Sequence, residues 1–171
     1  MDHNNRRDWY AVYTRANCEA KLAAGLTDKS VENFYPVIEE TRLWSDRKKK
    51  IKVPIFPSYI FVYINNDEFY RVKKASGFSH FVSLKSEPIV IPESQINAVK
   101  QLLNSSYQWQ TKVSTLNKGT KIEITDGPLQ GYIGVLVADA TQNNVAIEIP
   151  ALCKTMVFTL KQNQFKPVWT N

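Results

Sequence analysis

Two spacings of apolar residues alternate along the first hundred positions of the chain. Apolar residues at every second position predict strands at 9–14, 33–41, 50–55, 58–64 and 81–84. Apolar residues at every third or fourth position, with start signals such as Pro92 followed by Glu93, predict helices at 17–29, 66–74 and 92–104. The predicted order is βαβββαβα, typical of an α+β sandwich in which helices pack on a largely antiparallel sheet.

The predicted strand at 58–64 carries two chemically different faces. Its aliphatic face consists of Ile60, Val62 and Ile64, and its aromatic face of Tyr59, Phe61 and Tyr63. We expect the aliphatic face to be core and the aromatic face to be a contact surface. The alternative is that the aromatic side chains only cover the sheet beneath a helix.

The second half of the chain has a different pattern. Residues 105–116 show no clean period and predict a linker, whereas four short alternating runs between 121 and 160, separated by turns, predict a small β-barrel. The predicted domains are therefore 1–106, an antiparallel-sheet α/β sandwich, and 117–171, an SH3-like barrel, joined by a linker at 107–116.

Positive charge is concentrated in one short stretch. The net charge of the chain is +6, and residues 42–52 hold six basic residues against one aspartate. An aromatic residue stands inside this stretch, and lysine or arginine beside an indole suits phosphates and bases. The alternative is a charged, solvated loop. The candidate nucleic-acid contacts in this hairpin tip are Arg42, Trp44, Arg47, Lys48, Lys49 and Lys50.

The remaining composition argues against several function classes. The two cysteines, Cys18 and Cys153, are far apart and lack zinc-type spacing, and only two histidines, His3 and His80, are present. We therefore expect no metal, no cofactor and no enzymatic activity. No apolar run approaches the length of a membrane span or forms a signal core, so we expect a cytoplasmic protein without membrane contact. We also expect a monomer.

A glycine pattern in the predicted barrel carries the first family resemblance. An alternating strand is followed by Asp-Gly-Pro and by two further glycines at intervals of three, which resembles the KOW motif of transcription factors and ribosomal proteins. The matching residues are Gly119, Asp126, Gly127, Pro128, Gly131 and Gly134.

The first domain resembles the N-terminal domain of NusG-type elongation factors, named NGN. The resemblance rests on WYAVYT at 9–14, PIFPSYIFV at 54–62 and GFSHFV at 77–82. The stretch LWSDRKKK at 43–50 and the serine at 58 are more similar to the specialised RfaH-like and UpxY-like antiterminators of polysaccharide operons. Two features depart from the RfaH pattern: residues 70–73 are basic instead of threonine-rich, and Ser76 replaces a basic residue.

This resemblance implies a factor that binds RNA polymerase and promotes processive elongation or antitermination. It implies contact with the clamp helices of the polymerase through Tyr13, Phe56, Tyr59, Phe61, Leu84 and Ile96. It also implies that Arg15 faces non-template DNA, that the basic tip reaches the same strand or upstream duplex, and that the KOW barrel recruits a ribosomal protein or termination factor Rho.

Three other functions stay open at this point. They are a general housekeeping factor of the same family, a ribosome-associated RNA-binding protein, and an enzyme, which ranks last because no acidic cluster has ligand spacing. The sequence also predicts that Tyr59→Ala with Phe61→Ala abolishes polymerase binding and leaves the fold intact.

Overall fold

The computed structural model describes residues 6–44, 47–105, 109–113, 119–136, 144–149, 152, 154–160 and 164–168. By its internal contacts the chain divides into two compact units, Met1–Ile91 and Pro92–Asn171. This division differs from the predicted domains, because the helix after Pro92 groups with the second unit, where it contacts the strand Asn144–Ile149. Among the described residues, no helix has the length and apolar character that crossing a membrane requires.

The first unit is built on a five-stranded antiparallel sheet. Its elements are β1 (Asp8–Thr14), α1 (Glu19–Thr27), β2 (Asn33–Phe34), β3 (Val37–Leu43), β4 (Lys48–Pro54), β5 (Tyr59–Ile64), a 3-10 turn (Asn66–Glu68), α2 (Phe69–Lys73), β6 (Phe78–Phe81), β7 (Ser83–Leu84), β8 (Glu87–Pro88) and β9 (Val90–Ile91). The sheet order is β2-β5-β1-β6, and β9 also pairs with β1. Strands β3 with β4 and β7 with β8 form two separate hairpins.

The predicted strand at 33–41 is divided in the structure. Strand β2 ends at Phe34 and β3 begins at Val37, with the buried Pro36 between them. Proline has no backbone N–H to donate to a neighbouring strand, and its fixed φ turns the chain. The division lets β2 stay in the main sheet while β3 leaves it to form the hairpin with β4.

The core of the first unit lies on the aliphatic face of β5. Ile60, Val62 and Ile64 are fully buried together with Leu22 and Leu26 of α1 in one cluster. Burying an aliphatic side chain of this size contributes about 1.5–3 kcal/mol. The prediction that the aliphatic face of β5 is core is confirmed.

The second unit contains one helix and a six-stranded antiparallel sheet among its described residues. Its elements are α3 (Glu93–Asn104), β10 (Trp109–Val113), β11 (Lys121–Ile124), β12 (Ile133–Leu136), β13 (Asn144–Ile149), β14 (Lys154–Thr159) and β15 (Phe165–Pro167). The order is β10-β14-β13-β12-β11-β15. The four alternating runs predicted from the sequence correspond to β11, β12, β13 and β14.

The predicted linker at 107–116 is wrong over five of its residues. Trp109–Val113 forms β10, which pairs in register with β14 from Trp109 opposite Phe158 to Val113 opposite Lys154. Without this pairing β14 would present an open edge of unpaired N–H and C=O groups. The hydrogen bonds to β14 therefore make this segment a strand, although apolar and polar residues alternate only weakly in its sequence.

Candidate binding surfaces

A row of three aromatic rings crosses the sheet of the first unit. In the register of the strands, Tyr13 of β1 lies opposite Tyr59 of β5 on one side and His80 of β6 on the other. The ring centroids of Tyr13 and Tyr59 are 5.1 Å apart with their edges facing, and those of Tyr13 and His80 are 5.0 Å apart and stacked. Tyr13 is 36% exposed, His80 is exposed and Tyr59 is half-buried. We call Tyr59, Tyr13 and His80 the aromatic row.

His80 has no role predicted from the sequence. In the structure its ring stacks on that of Tyr13, and its Nδ1 atom lies 3.1 Å from the Ser79 hydroxyl. This position depends on the pairing of β1 with β6, which includes an irregularity between Tyr13 and Thr14. Local sequence contains no signal for such an irregular register.

Three of the six predicted polymerase contacts are fully buried: Phe56, Phe61 and Ile96. The ring of Phe61 lies 5.9 Å from that of Phe56 and 6.0 Å from that of Phe34. The expectation that Phe61 is exposed beside Tyr59 is therefore wrong. Alternation sends both side chains to the same face of β5, but aromatic neighbours cover only one of them.

The turn before Tyr59 is held by a buried carboxylate. The backbone N–H of Ser58 donates to Glu19 Oε1 at 2.7 Å, and the Ser58 carbonyl accepts from the Thr14 N–H at 2.8 Å. Glu19 is buried, so this charge-assisted bond is shielded from water. Burial raises the pKa of Tyr35, and the Glu19 carboxylate raises it further. The two hydrogen bonds of Ser58 therefore fix the residue before Tyr59 to both α1 and β1.

Replacing Ser58 by glycine is expected to stabilise the first unit by about 0.5–1 kcal/mol. Ser58 has φ of +68°, a conformation that costs a side-chain-bearing residue about 1–2 kcal/mol, whereas glycine loses about 0.5–1 kcal/mol in chain entropy. Urea unfolding measures the difference. Ser79→Gly, at a strand position without positive φ, is the control and should destabilise the protein. A loss of stability in Ser58→Gly would contradict the strain argument.

Leu84, another of the six predicted polymerase contacts, lies outside the aromatic row and is exposed. It lies in the β7–β8 hairpin and is 67% exposed. The two residues of the turn, Lys85 and Ser86, both have positive φ, the geometry of a tight hairpin turn. Such a turn holds the apolar side chain of Leu84 outward in a defined position.

The predicted basic hairpin is confirmed in the structure. Strands β3 and β4 pair from Val37 opposite Pro54 to Leu43 opposite Lys48, and the Trp44 N–H donates to the Arg47 carbonyl at 2.9 Å. Trp44 is 52% exposed, and Lys49 Nζ lies 5.2 Å from the centre of its ring. Ser45 and Asp46 of the tip lie outside the described residues. We call β3, β4 and their connection the basic hairpin.

Two glutamates on β3 offset part of its charge. Glu40 pairs with Arg42 at 3.3 Å, and Glu39 pairs with Lys50 at 3.9 Å. In the described part of the hairpin, Arg47, Lys48 and Lys49 are exposed and make no ion pair. The charge available to a polyanion is therefore concentrated at the tip, beside Trp44. Arg15, predicted to face DNA, is also exposed, at the end of β1.

Four of the six KOW-type residues lie between β11 and β12, Gly134 lies in β12, and Gly119 precedes β11. Gly127 has φ of +88°, as its position before Pro128 predicts. A side chain at Gly134 would lie 2.6 Å from a methyl carbon of Val145, so only glycine fits where β12 approaches β13. Beside this turn, an open cleft of about 580 Å³ is lined by residues of α3, β11 and β12, and Ile133 is exposed.

Comparisons with known proteins agree with this architecture. Residues 7–100 match the family model described as "Transcription termination factor nusG". The chain is 23% identical over 175 residues to a protein of Rickettsia prowazekii, covering 95% of this chain and 91% of that one. It is 26% identical over 142 residues to a protein of Bacillus subtilis, covering 75% of this chain and 79% of that one. Both are named transcription termination/antitermination protein NusG.

A solved structure supports the fold. The structure titled "Domain interaction in Thermotoga maritima NusG" superposes with a TM-score of 0.53 at 18% identity, covering 96% of this chain and 98% of that one. The likeness is consistent with a fold made of an NGN-like domain and a KOW-like domain. With a family match over more than half of its length, the chain belongs to the NusG family.

Proposed function

We propose that this chain is an elongation factor that binds RNA polymerase through the aromatic row and Leu84 and promotes processive transcription. The observation that carries the proposal is the row itself, since the exposed Tyr13 and His80 and the half-buried Tyr59 lie side by side on the sheet. Rigid aromatic side chains lose little conformational entropy on binding and bury a large area, which makes them frequent hot spots of interfaces. The names of the relatives support a role in termination or antitermination.

The partner that we infer for the aromatic row is the pair of clamp helices of RNA polymerase. A sheet with exposed rings suits a helical partner, because the flat rings can pack between ridges of helix side chains. The two phenol hydroxyls and the imidazole of the row could stay hydrated or hydrogen-bonded at the rim of such an interface. The factor would act mechanically, by holding the clamp closed over nucleic acid.

We further propose that the basic hairpin and Arg15 contact non-template or upstream DNA. The free cations at the tip can neutralise phosphates, and the exposed Trp44 ring can stack on an unpaired base. Two weak contacts on one rigid unit raise the overall affinity, because the second contact forms within the complex already made by the first.

The second unit is proposed to recruit another factor, a ribosomal protein or Rho. The exposed Ile133 and the cleft beside it offer an apolar area for such a partner. The basic hairpin and the serine at 58 favour the specialised RfaH-like and UpxY-like branch, acting on a polysaccharide-type operon. A general housekeeping factor is the alternative within the family.

Binding to an elongation complex assembled on a synthetic bubble tests the proposed function. We expect the purified chain to be retained by the complex and only weakly by free duplex, free single strand or free RNA at physiological salt. Single-round transcription on the same template should show shorter pauses. Retention by free RNA without retention by the polymerase would contradict the proposal and favour a ribosome-associated protein.

A further inference from the structure

We propose that the outer edge of β14 is a strand-binding site, which β10 occupies in the free chain and which an extended segment of a partner protein occupies after displacing β10. We call this edge the β14 edge. On its other side, β14 pairs with β13 from Asn144 opposite Thr159 to Ile149 opposite Lys154. Among the described strands, β10 is the last on this side of the sheet and covers five residues of β14.

Strand β14 has the burial of an inner strand of a sheet. Its four central residues, Thr155, Met156, Val157 and Phe158, are all buried, although consecutive side chains of a strand point to opposite faces. Both faces of β14 are therefore covered, and its edge is the side at which one neighbour can replace another. An open edge on such a strand would present unpaired N–H and C=O groups beside apolar side chains, so it needs an occupant.

The sequence of β10 makes it a weak occupant of the β14 edge. Its five residues, WQTKV, include only two apolar ones, so it has little apolar area to bury on the sheet. Lysine is depleted in strands in general, and natural proteins place it on edge strands to discourage pairing with a further strand. With Lys112 near its end, β10 suits the role of a removable cover that does not itself attract another strand.

Thr155 indicates what a stronger occupant needs. Its side chain is 1% exposed, and within the part of the chain that the structure describes its hydroxyl has no hydrogen-bond partner. In the register of the two strands, the β10 residue opposite Thr155 is Lys112. A threonine or serine at that place can share a hydrogen bond with Thr155, and a buried hydroxyl without a partner is unfavourable. The partner segment that we infer has a hydroxyl residue opposite Thr155 and a β-branched residue opposite Val157.

This inference rests on the proposed function and deepens it, because it gives the recruiting second unit a mode of binding. When a strand adds to a sheet edge, main-chain hydrogen bonds supply affinity and the side chains of the added strand supply specificity. Since β10 is tethered beside the β14 edge, its local concentration is on the order of millimolar. A partner segment must therefore bind the edge better than β10 does, which excludes weak and unspecific strands.

Fluorescence anisotropy of labelled peptides, titrated with the full chain, tests the β14 edge. The first peptide has the sequence of residues 107–115, and the second is the same peptide with Gln110→Val and Lys112→Thr. The test variant of the protein carries Gln110→Pro with Thr111→Pro. Neighbouring residues of a strand direct their N–H groups to opposite sides, so one of the two prolines removes an N–H that faces β14. Gln110→Val with Thr111→Val is the matched control, since valine favours a strand.

The double proline variant is expected to bind the first peptide about tenfold or more tightly than the parent, because the tethered β10 no longer competes. The double valine variant should bind it no better than the parent does. To the double proline variant, the second peptide should bind about tenfold more tightly than the first, as one added buried hydrogen bond can provide.

Three results would overturn the proposal. The first is that neither peptide binds the double proline variant although its β13 amides stay protected from hydrogen exchange. The second is equal binding by the double valine and double proline variants, since β10 would then not control access to the edge. The third is a double proline variant that dimerises in light scattering and excludes both peptides, which would assign the β14 edge to a second copy of the chain.

Hydrogen exchange gives a readout that does not depend on the variant being folded. In the double proline variant we expect faster exchange of β14 amides, reversed by the second peptide, while β11 and β12 exchange as in the parent. If β11 and β12 also exchange faster, the barrel has unfolded and the parent chain decides the question. Saturation of the parent with the second peptide should then speed the exchange of the amides of Trp109–Val113, and unchanged exchange would overturn the proposal.

Retention by the elongation complex separates this inference from the proposed function. If the complex retains the chain but neither peptide binds the double proline variant, the strand-binding site fails and the proposed function stands. If the complex does not retain the chain while the double proline variant binds the peptides as expected, the proposed function fails and the strand-binding site stands.

Discussion

Replacing Tyr13 and Tyr59 together by alanine is expected to weaken binding to the polymerase elongation complex by about 100-fold. The two rings touch each other across β1 and β5, and Tyr13 is the centre of the aromatic row. Truncating one such anchor residue typically costs about 2 kcal/mol or more, and the effects of neighbouring anchors are not additive. Titration of the labelled chain with elongation complexes measures the affinity.

The phenylalanine variants are the control for this prediction. Tyr13→Phe with Tyr59→Phe retains both rings and should keep the affinity within a few-fold of the parent. The contact between the two rings contributes about 0.5–1.5 kcal/mol beyond the area that they bury, and neither ring is fully buried, so the first unit should stay folded. An alanine variant that is folded and binds with parental affinity would remove the aromatic row as the polymerase surface.

Phe61→Ala is expected to lower the free energy of unfolding of the first unit by about 3–5 kcal/mol. The side chain is fully buried, and its removal leaves a cavity between the rings of Phe34 and Phe56. A typical domain has a total stability of about 5–15 kcal/mol, so this one change removes a large part of it. Hydrogen exchange of the β5 amides with urea unfolding measures the loss.

Phe61→Leu provides the comparison, because it preserves most of the volume and should cost much less than the alanine variant. The structure thus changes the expectation drawn from the sequence, in which Phe61 lay on the surface and its removal left the fold intact. A stable Phe61→Ala variant with reduced polymerase affinity would restore that earlier expectation.

The strands and the basic hairpin could be predicted from local sequence, because in each of them apolar residues recur at every second position. Ile60, Val62 and Ile64 alternate with aromatic residues, and this alternation alone identifies the core face of β5. Likewise, charge concentrated between two strand-like segments predicts the tip at Trp44. Strand β10 could not be predicted, since its partner β14 lies more than forty residues away.

The binding surfaces could be predicted less well from the sequence than the strands. Tyr59 and Phe61 are two residues apart on β5 and were therefore predicted to lie on the same face. Their exposure differs because neighbouring rings cover Phe61. The basic hairpin could be predicted from charge alone, because most of its cations are consecutive in the chain.

The sequence by itself determined the two-unit α+β and all-β composition, the aliphatic core face, the basic hairpin and the glycine turn at Gly127, since each depends on residues close together in the chain. Only the tertiary structure decided that His80 completes the aromatic row and that Phe61 is core. The physical reason is that exposure and proximity depend on strand register and helix packing, which bring together residues that no local pattern connects.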